Sequence, residues 1–183
     1  MGPILPGLHL PKLEKLEVHS FATLESIGPC FPLSFSRLLP NFSELPRAAF
    51  IHRSWFTEIH LQSERQDTLD LLIGRLSRLE KTREIFGGLP LHSVRSLTIE
   101  FDDMDLEWLF GMLGTMEGVE DLEIRGGWTQ VLRFWRGGGE WKKLCPALRN
   151  LVVHGEGDAE SDLEAFVDAR KGVGLPLTRV RAV

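Results

Sequence analysis

Residues Cys145 to Val153 read CPALRNLVV. Their apolar anchors are Cys145, Leu148, Leu151 and Val153, at intervals of three, three and two. An interval of two is the period of a β-strand, whose alternate side chains share a face. The intervals of three before it fit a turn. The stretch therefore predicts a turn running into a short strand, with Leu151 and Val153 on one face. The spacing recurs at Leu10, Leu13, Leu16 and Val18, at Leu91, Val94, Leu97 and Ile99, and at Met116, Val119, Leu122 and Ile124. A weaker copy is Gly174, Leu177, Val180 and Ala182, and a degenerate one is Arg53, Phe56, Ile59 and Leu61.

The third positions of these copies are 16, 59, 97, 122, 151 and 180, which gives steps of 43, 38, 25, 29 and 29 residues. The last three steps fall within the ~20–29 residues of leucine-rich repeats. The first two are too long for one unit and hold an insertion or an unrecognised repeat. The expected fold is α/β: an open, curved, leucine-rich-repeat-like solenoid with short parallel strands and crossover helices. It would be one domain over 1–183, irregular over 1–90 and clearer over 91–183.

The segments between copies support crossovers. Pro29, Pro32, Pro40 and Pro46 break the stretch after Val18, leaving room for a short helix at Ser34 to Leu39. Ser54 to Leu61 reads as a strand. Asp67 to Phe86 reads as a helix, with Leu69, Leu72, Leu76 and Leu79 on one face and Gly87-Gly88 as its stop. Beyond Leu91, LTIEF, LEIR and LVVH read as strands. Helices are expected from Asp102 or Asp103 to about Leu113, over Trp128 to Trp135, and over Ser161 to Lys171. The inner face of the last would be Leu163, Phe166 and Val167. No hairpin turn is evident between successive strands, which favours parallel pairing.

Composition fits a folded chain of 183 residues, 43% hydrophobic and 26% charged. No apolar run approaches the ~20 residues of a membrane span. No basic region followed by an apolar core opens the chain, so a secretory signal is not read. Cys30 and Cys145 lie far apart and are expected as reduced thiols of an intracellular protein, cytoplasmic or nuclear. The net charge of −5 lies wholly in residues 91–183, with eleven basic and sixteen acidic residues against ten and ten before them. A net acidic chain argues against nucleic acid as a partner.

LCPALRNLVV followed by SDLEAFVDARKGVGLPLTRVRAV resembles the closing repeats of fungal F-box/leucine-rich repeat proteins, and LPKLEKLEVHSF resembles another such repeat. The resemblance covers about half the chain. It implies the role of those repeats, which is to capture substrates for a ubiquitin ligase. In that family the F-box holds a Skp1-type adaptor. No segment here reads as an F-box, so only substrate capture carries over. The Asn or Cys that such repeats place three residues past the strand pair is also missing, with Phe21, Glu64, Asp102, Gly127 and Glu156 in its place.

Enzyme chemistry has little to stand on. Asp102, Asp103, Asp105 and Glu107 lack the spacing of a calcium loop and suit a helix start. Gly137-Gly138-Gly139 is not followed by the GK[ST] of a phosphate loop. The six histidines form no zinc motif, and no GxSxG elbow is present. The four tryptophans of the second half, Trp108, Trp128, Trp135 and Trp141, suit packing, with one or two left for the surface. No catalytic residue, cofactor or metal is expected.

The positive expectation is a partner-binding concave face, built by side chains that flank the buried pair of each strand. It comprises Glu17 and His19 with Lys15, His60 with Glu58 and Gln62, Thr98 and Glu100 with Ser96, Asp121, Glu123 and Arg125, Asn150 and His154 with Val152, and Arg181 with Arg179. Its middle is acidic and its last strand basic, which suits a protein partner with a basic patch. Ends without polar caps would expose a strand edge and favour self-association. Two rival readings are a stand-alone scaffold or regulator unconnected to ubiquitin, and a small α/β enzyme with a deep polar pocket.

Overall fold

The computed structural model describes residues 15–20, 46–53, 56–64, 66, 68–74, 91–101, 106–137, 139, 143–155 and 160–183. In chain order these hold β1 (Lys15–Ser20), β2 (Arg47–Arg53), β3 (Phe56–Gln62), β4 (Thr68–Gly74), β5 (Ser96–Phe101), α1 (Leu106–Leu113), β6 (Asp121–Arg125), α2 (Trp128–Gly137), β7 (Asn150–His154), α3 (Glu160–Gly172) and β8 (Arg179–Ala182). The strands form one open sheet in the order β1-β4-β3-β2-β5-β6-β7-β8. Every neighbouring pair is parallel except the two that involve β3.

The repeated spacing is a repeated geometry. Leu148 N–H donates to the Cys145 carbonyl at 3.0 Å, Val94 N–H to Leu91 at 3.1 Å, and Val119 N–H to Met116 at 3.3 Å. Each is a turn closed between the first two anchors, and the twelve anchors of these three copies are all buried. The equivalent strand positions Leu97, Leu122, Leu151 and Val180 are direct register partners across β5 to β8. In the weak last copy Leu177 and Val180 are only half-buried.

The strand entrances are stitched by backbone. The Arg95 carbonyl accepts from Glu120 and Asp121 N–H at 2.8 and 3.0 Å, and the Glu120 carbonyl from Arg149 and Asn150 at 2.9 and 3.0 Å. The Arg149 carbonyl accepts from Thr178 and Arg179 at 2.7 and 3.1 Å, and that of Pro46 from Arg95 and Ser96 at 2.8 and 2.9 Å. One carbonyl thus serves two donors of the next unit, and the buried polar groups of the turns are satisfied without a side-chain ladder.

The core lies between one face of the sheet and the helices. Leu97, Ile99, Leu122, Ile124, Leu151 and Val153 join Leu109, Phe110, Val131, Leu132, Trp135 and Phe166 in a single apolar cluster. In α2, Trp128, Val131, Leu132 and Trp135 recur at three, one and three, so one stripe meets the sheet. Trp135 packs edge-on to Phe110 (centroids 5.5 Å apart) and tilted on Phe166 (5.1 Å), which ties the three helices together. The described tryptophans Trp108, Trp128 and Trp135 are all buried.

The inner face of α3 departs from the expected Leu163, Phe166 and Val167. Phe166 is buried, its two companions are half-buried, and Arg170 is buried as deeply as Phe166. Its two Nη groups donate to the carbonyls of Leu144 (2.6 Å) and Cys145 (3.0 Å). At the start of α3, Asp162 accepts from Arg133 of α2 at 2.7 Å, and the guanidinium holds its carboxyl below the usual carboxylate range. The helix ends in a Schellman turn, where Leu175 N–H reaches the Arg170 carbonyl and Gly174, at φ 77°, that of Lys171.

Three sequence expectations are corrected. Residues Thr68–Gly74 form β4, not the first turns of a helix. There Leu69, Leu71 and Ile73 alternate, and pairing with β1 and β3 uses that period of two rather than the helical one. The rest of that expected helix, and the one at Ser34 to Leu39, lie outside the described residues. Hairpins do occur: β2, β3 and β4 form an antiparallel meander. Finally, the copy at Arg53 to Leu61 is no repeat, because β3 runs against its neighbours and sets Ile59, not Leu61, beside Phe50 and Leu71. This meander lies within the two long steps before Leu97.

Candidate binding face of the sheet

The helices α1, α2 and α3 pack on one face, and the flanking residues stand on the other. Register aligns them in rows. The first runs Thr68, Gln62, Arg47, Ser96, Asp121, Asn150, Arg179. The second runs Asp70, His60, Ala49, Thr98, Glu123, Val152, Arg181, and the third includes Glu58, Ile51, Glu100, Arg125 and His154. All of these residues are half-buried or exposed. The structure therefore brings the predicted His60, Thr98, Glu100, Asp121, Glu123, Arg125, Asn150, His154 and Arg181 to one surface. For Glu17 and His19 the backbone register continues the second and third rows, beside Asp70 and Leu72.

Two polar clusters form on this surface. Around β6, Arg125 donates to Glu123 Oε1 through Nε (3.0 Å) and Nη2 (2.9 Å), and its Nη1 lies 4.0 Å from Glu100. His154 Nε2 lies 2.7 Å from Glu123 Oε1, off the line of a hydrogen bond. Thr98 Oγ1 donates to Glu123 Oε2 at 3.5 Å, and Asn150 Nδ2 donates to Asp121 Oδ1 at 2.5 Å. The second cluster is on the meander, where His60 Nδ1 lies 2.8 Å from Asp70 Oδ1 and Nε2 lies 3.1 Å from Glu58 Oε2. Burial pushes the imidazole down, but the hydrogen bonds and charges of Asp70 and Glu58 outweigh it and raise its pKa above 6.5.

Between the clusters the small side chains Ala49, Ser96 and Thr98 leave a hollow of about 380 Å³. Arg47, Gln62, Thr68, His60 and Asp70 also line it. Arg47 meets only the Gln62 amide oxygen, at 3.5 Å, and has no carboxylate partner among the described residues. Its donors and the hydroxyls of Thr68 and Ser96 can hold a carboxylate or another hydrogen-bond acceptor.

Arg47, Ala49, Thr68 and Asp70 were not legible as site residues. They lie on β2, hidden behind Pro46, and on β4, read as helix. The signal was the alternation in RAAFI and TLDLLI. The acidic group at Asp102, Asp103 and Asp105 lies outside the described residues. Among the described residues no group of three or more His, Cys, Asp or Glu is arranged to hold a metal ion, and no helix is long and apolar enough to cross a membrane. Comparison of the chain with family models, curated proteins and solved structures finds no match.

Proposed function

We propose that the chain is a protein-binding module that uses the open face of its sheet, and that it acts as the repeats it resembles do, capturing a substrate for a ubiquitin ligase. The observation that carries the binding role is the aligned rows. Charged and polar side chains from at least six strands are held in register on a face that none of the helices α1 to α3 covers. A surface of that kind recognises a partner by charge order more than by apolar area. The leucine-rich-repeat reading draws support from the three buried turn–strand units and their steps of 25 and 29 residues.

A catalytic reading gains from the hollow but not from its histidine. Both ring nitrogens of His60 are held by carboxylates, which leaves neither aimed at Ser96 or Thr98. Cys145 is buried and its thiol is pushed up to about 12, which suits packing and not attack.

The test is affinity purification of the tagged chain from native lysate beside a variant with Glu100, Asp121 and Glu123 each changed to Lys. A specific partner lost from the variant, with circular dichroism unchanged, supports the open face. Equal recovery by both proteins defeats it. Recovery of a Skp1-type adaptor with the partner supports the ubiquitin role, and a partner without adaptor favours a free-standing scaffold.

A further inference from the structure

The first row of the open face carries an alternating charge. Arg47 stands on β2, Asp121 on β6 and Arg179 on β8, and between them lie the neutral Ser96 on β5 and Asn150 on β7. The three charged residues are exposed, and none has a partner of opposite charge among the described residues. Asp121 accepts a bond from the Asn150 amide, which orients the carboxylate without neutralising it. The second row repeats the order on the last strands, with Glu123 beside Asp121 and Arg181 beside Arg179. Charges of alternating sign therefore recur every second strand. At a strand spacing of about 4.8 Å, the step is about 10 Å.

A helix rises about 1.5 Å per residue, so residues about seven apart return to the same side and are separated by about 10.5 Å. We infer that the face binds a partner's α-helix laid across the strands, which presents acidic, basic and acidic side chains at about seven-residue steps. The first acid would enter the hollow beside Arg47, where hydroxyls of Thr68 and Ser96 supply further donors. The base would meet Asp121, and the second acid Arg179. A helix suits this face better than an extended segment because its backbone groups are already paired. A strand laid across side chains would leave its N–H and C=O groups without partners. The inference rests on the binding role proposed above and adds the partner's chemistry.

The test uses two synthetic alanine-rich helices, one bearing Glu, Lys and Glu at these steps and the other Lys, Glu and Lys. Fluorescence anisotropy at low salt should show the first peptide binding at least about tenfold tighter. A variant carrying Arg47→Glu, Asp121→Lys and Arg179→Glu should reverse the preference. A flexible peptide with the same charges at about three-residue steps, matched to an extended chain, should bind more weakly than the helix. Equal binding of the two helices, no binding of either, an unreversed preference or tighter binding of the flexible peptide would each overturn the inference. If neither helix binds while the lysate partner is still captured through Glu100 and Glu123, the helix proposal falls and the binding face stands.

Discussion

Arg170 Nη2 donates to the Cys145 carbonyl at 3.0 Å from within the core, where the arginine is 1% exposed. Nη1 takes the adjacent Leu144 carbonyl, and the guanidinium lies 5.8 Å from the centroid of the Trp135 ring. Burial lowers the pKa of this group, which still remains charged near neutrality. The two bonds hold a turn in which Cys145 adopts φ 47°, a left-handed conformation that costs a non-glycine residue of order 1 kcal/mol. One side chain on α3 thus fixes the turn that leads into β7.

Replacing Arg170 with Met keeps most of the volume and removes both donors. The Leu144 carbonyl then loses its arginine donor, the Cys145 carbonyl keeps only the bond from Leu148 N–H, and the desolvated charge is gone. The expected net loss is about 2 kcal/mol of unfolding free energy by urea denaturation. A loss under about 0.5 kcal/mol would mean that water or a shifted turn replaces the arginine.

Gly127 is a second fixed point. It has φ 48°, and a Cβ built on it would strike Cε2 of Phe101, while a Cβ on Gly126 would lie 2.6 Å from the Phe101 carbonyl oxygen. The pair turns the chain from β6 into α2 with no space for a side chain. Gly127→Ala should cost about 2 kcal/mol or more, and Phe101→Leu in the same chain should recover part of the clash but not the backbone strain. Strict additivity of the two changes would show that the ring is not what Gly127 must clear.

How far the sequence reveals this fold depends on the period in each segment. From Leu91 to Val183 the anchors step by three, three and two, and turns, strands and helices fall where that pattern puts them. In β4, Leu69 and Leu72 also fit a helical stripe, and only pairing with β1 and β3 decides for a strand. The open face was legible strand by strand, because flanking positions follow from alternation. The hollow was not, because it joins Arg47 and Ala49 to Thr68 and Asp70, which become neighbours only through the meander. Arg170 was not foreseen on the inner face of α3, for another reason. Basic residues near a helix C-terminus usually point to solvent, and nothing local reveals the two carbonyls that draw this one inward.

Cys145 should be inert in the native protein. Burial pushes its thiol up to about 12, and the nearby Arg170 charge only partly opposes this. Alkylation with iodoacetamide near neutral pH, read at the Cys145 peptide by mass spectrometry, should therefore follow opening of the turn. It should be fast only in denaturant, where the thiol returns to about 8.5. Arg170→Met should speed native labelling by loosening the turn. Rapid labelling of the unaltered protein would show that the turn opens readily without unfolding.

His60 gives stability a pH dependence whose sign can be worked out. On its own strand it faces Glu58, and on β4 it faces Asp70. On β2 its register partner is the uncharged Ala49, with Arg47 two residues away along that strand. Its folded pKa lies above 6.5, so the folded state binds the proton more tightly than the unfolded chain does. The stabilisation from this group is therefore complete below the unfolded value and is lost as pH rises through the folded one. The urea midpoint should therefore fall as pH rises from below 6.5 through that raised value. His60→Gln keeps hydrogen-bonding capacity without the titration, so it should flatten this limb. The imidazole resonance of His60 in a proton NMR titration should report the same raised value. An unshifted resonance together with an unchanged limb in the Gln variant would show that the two carboxylates do not govern this histidine in solution.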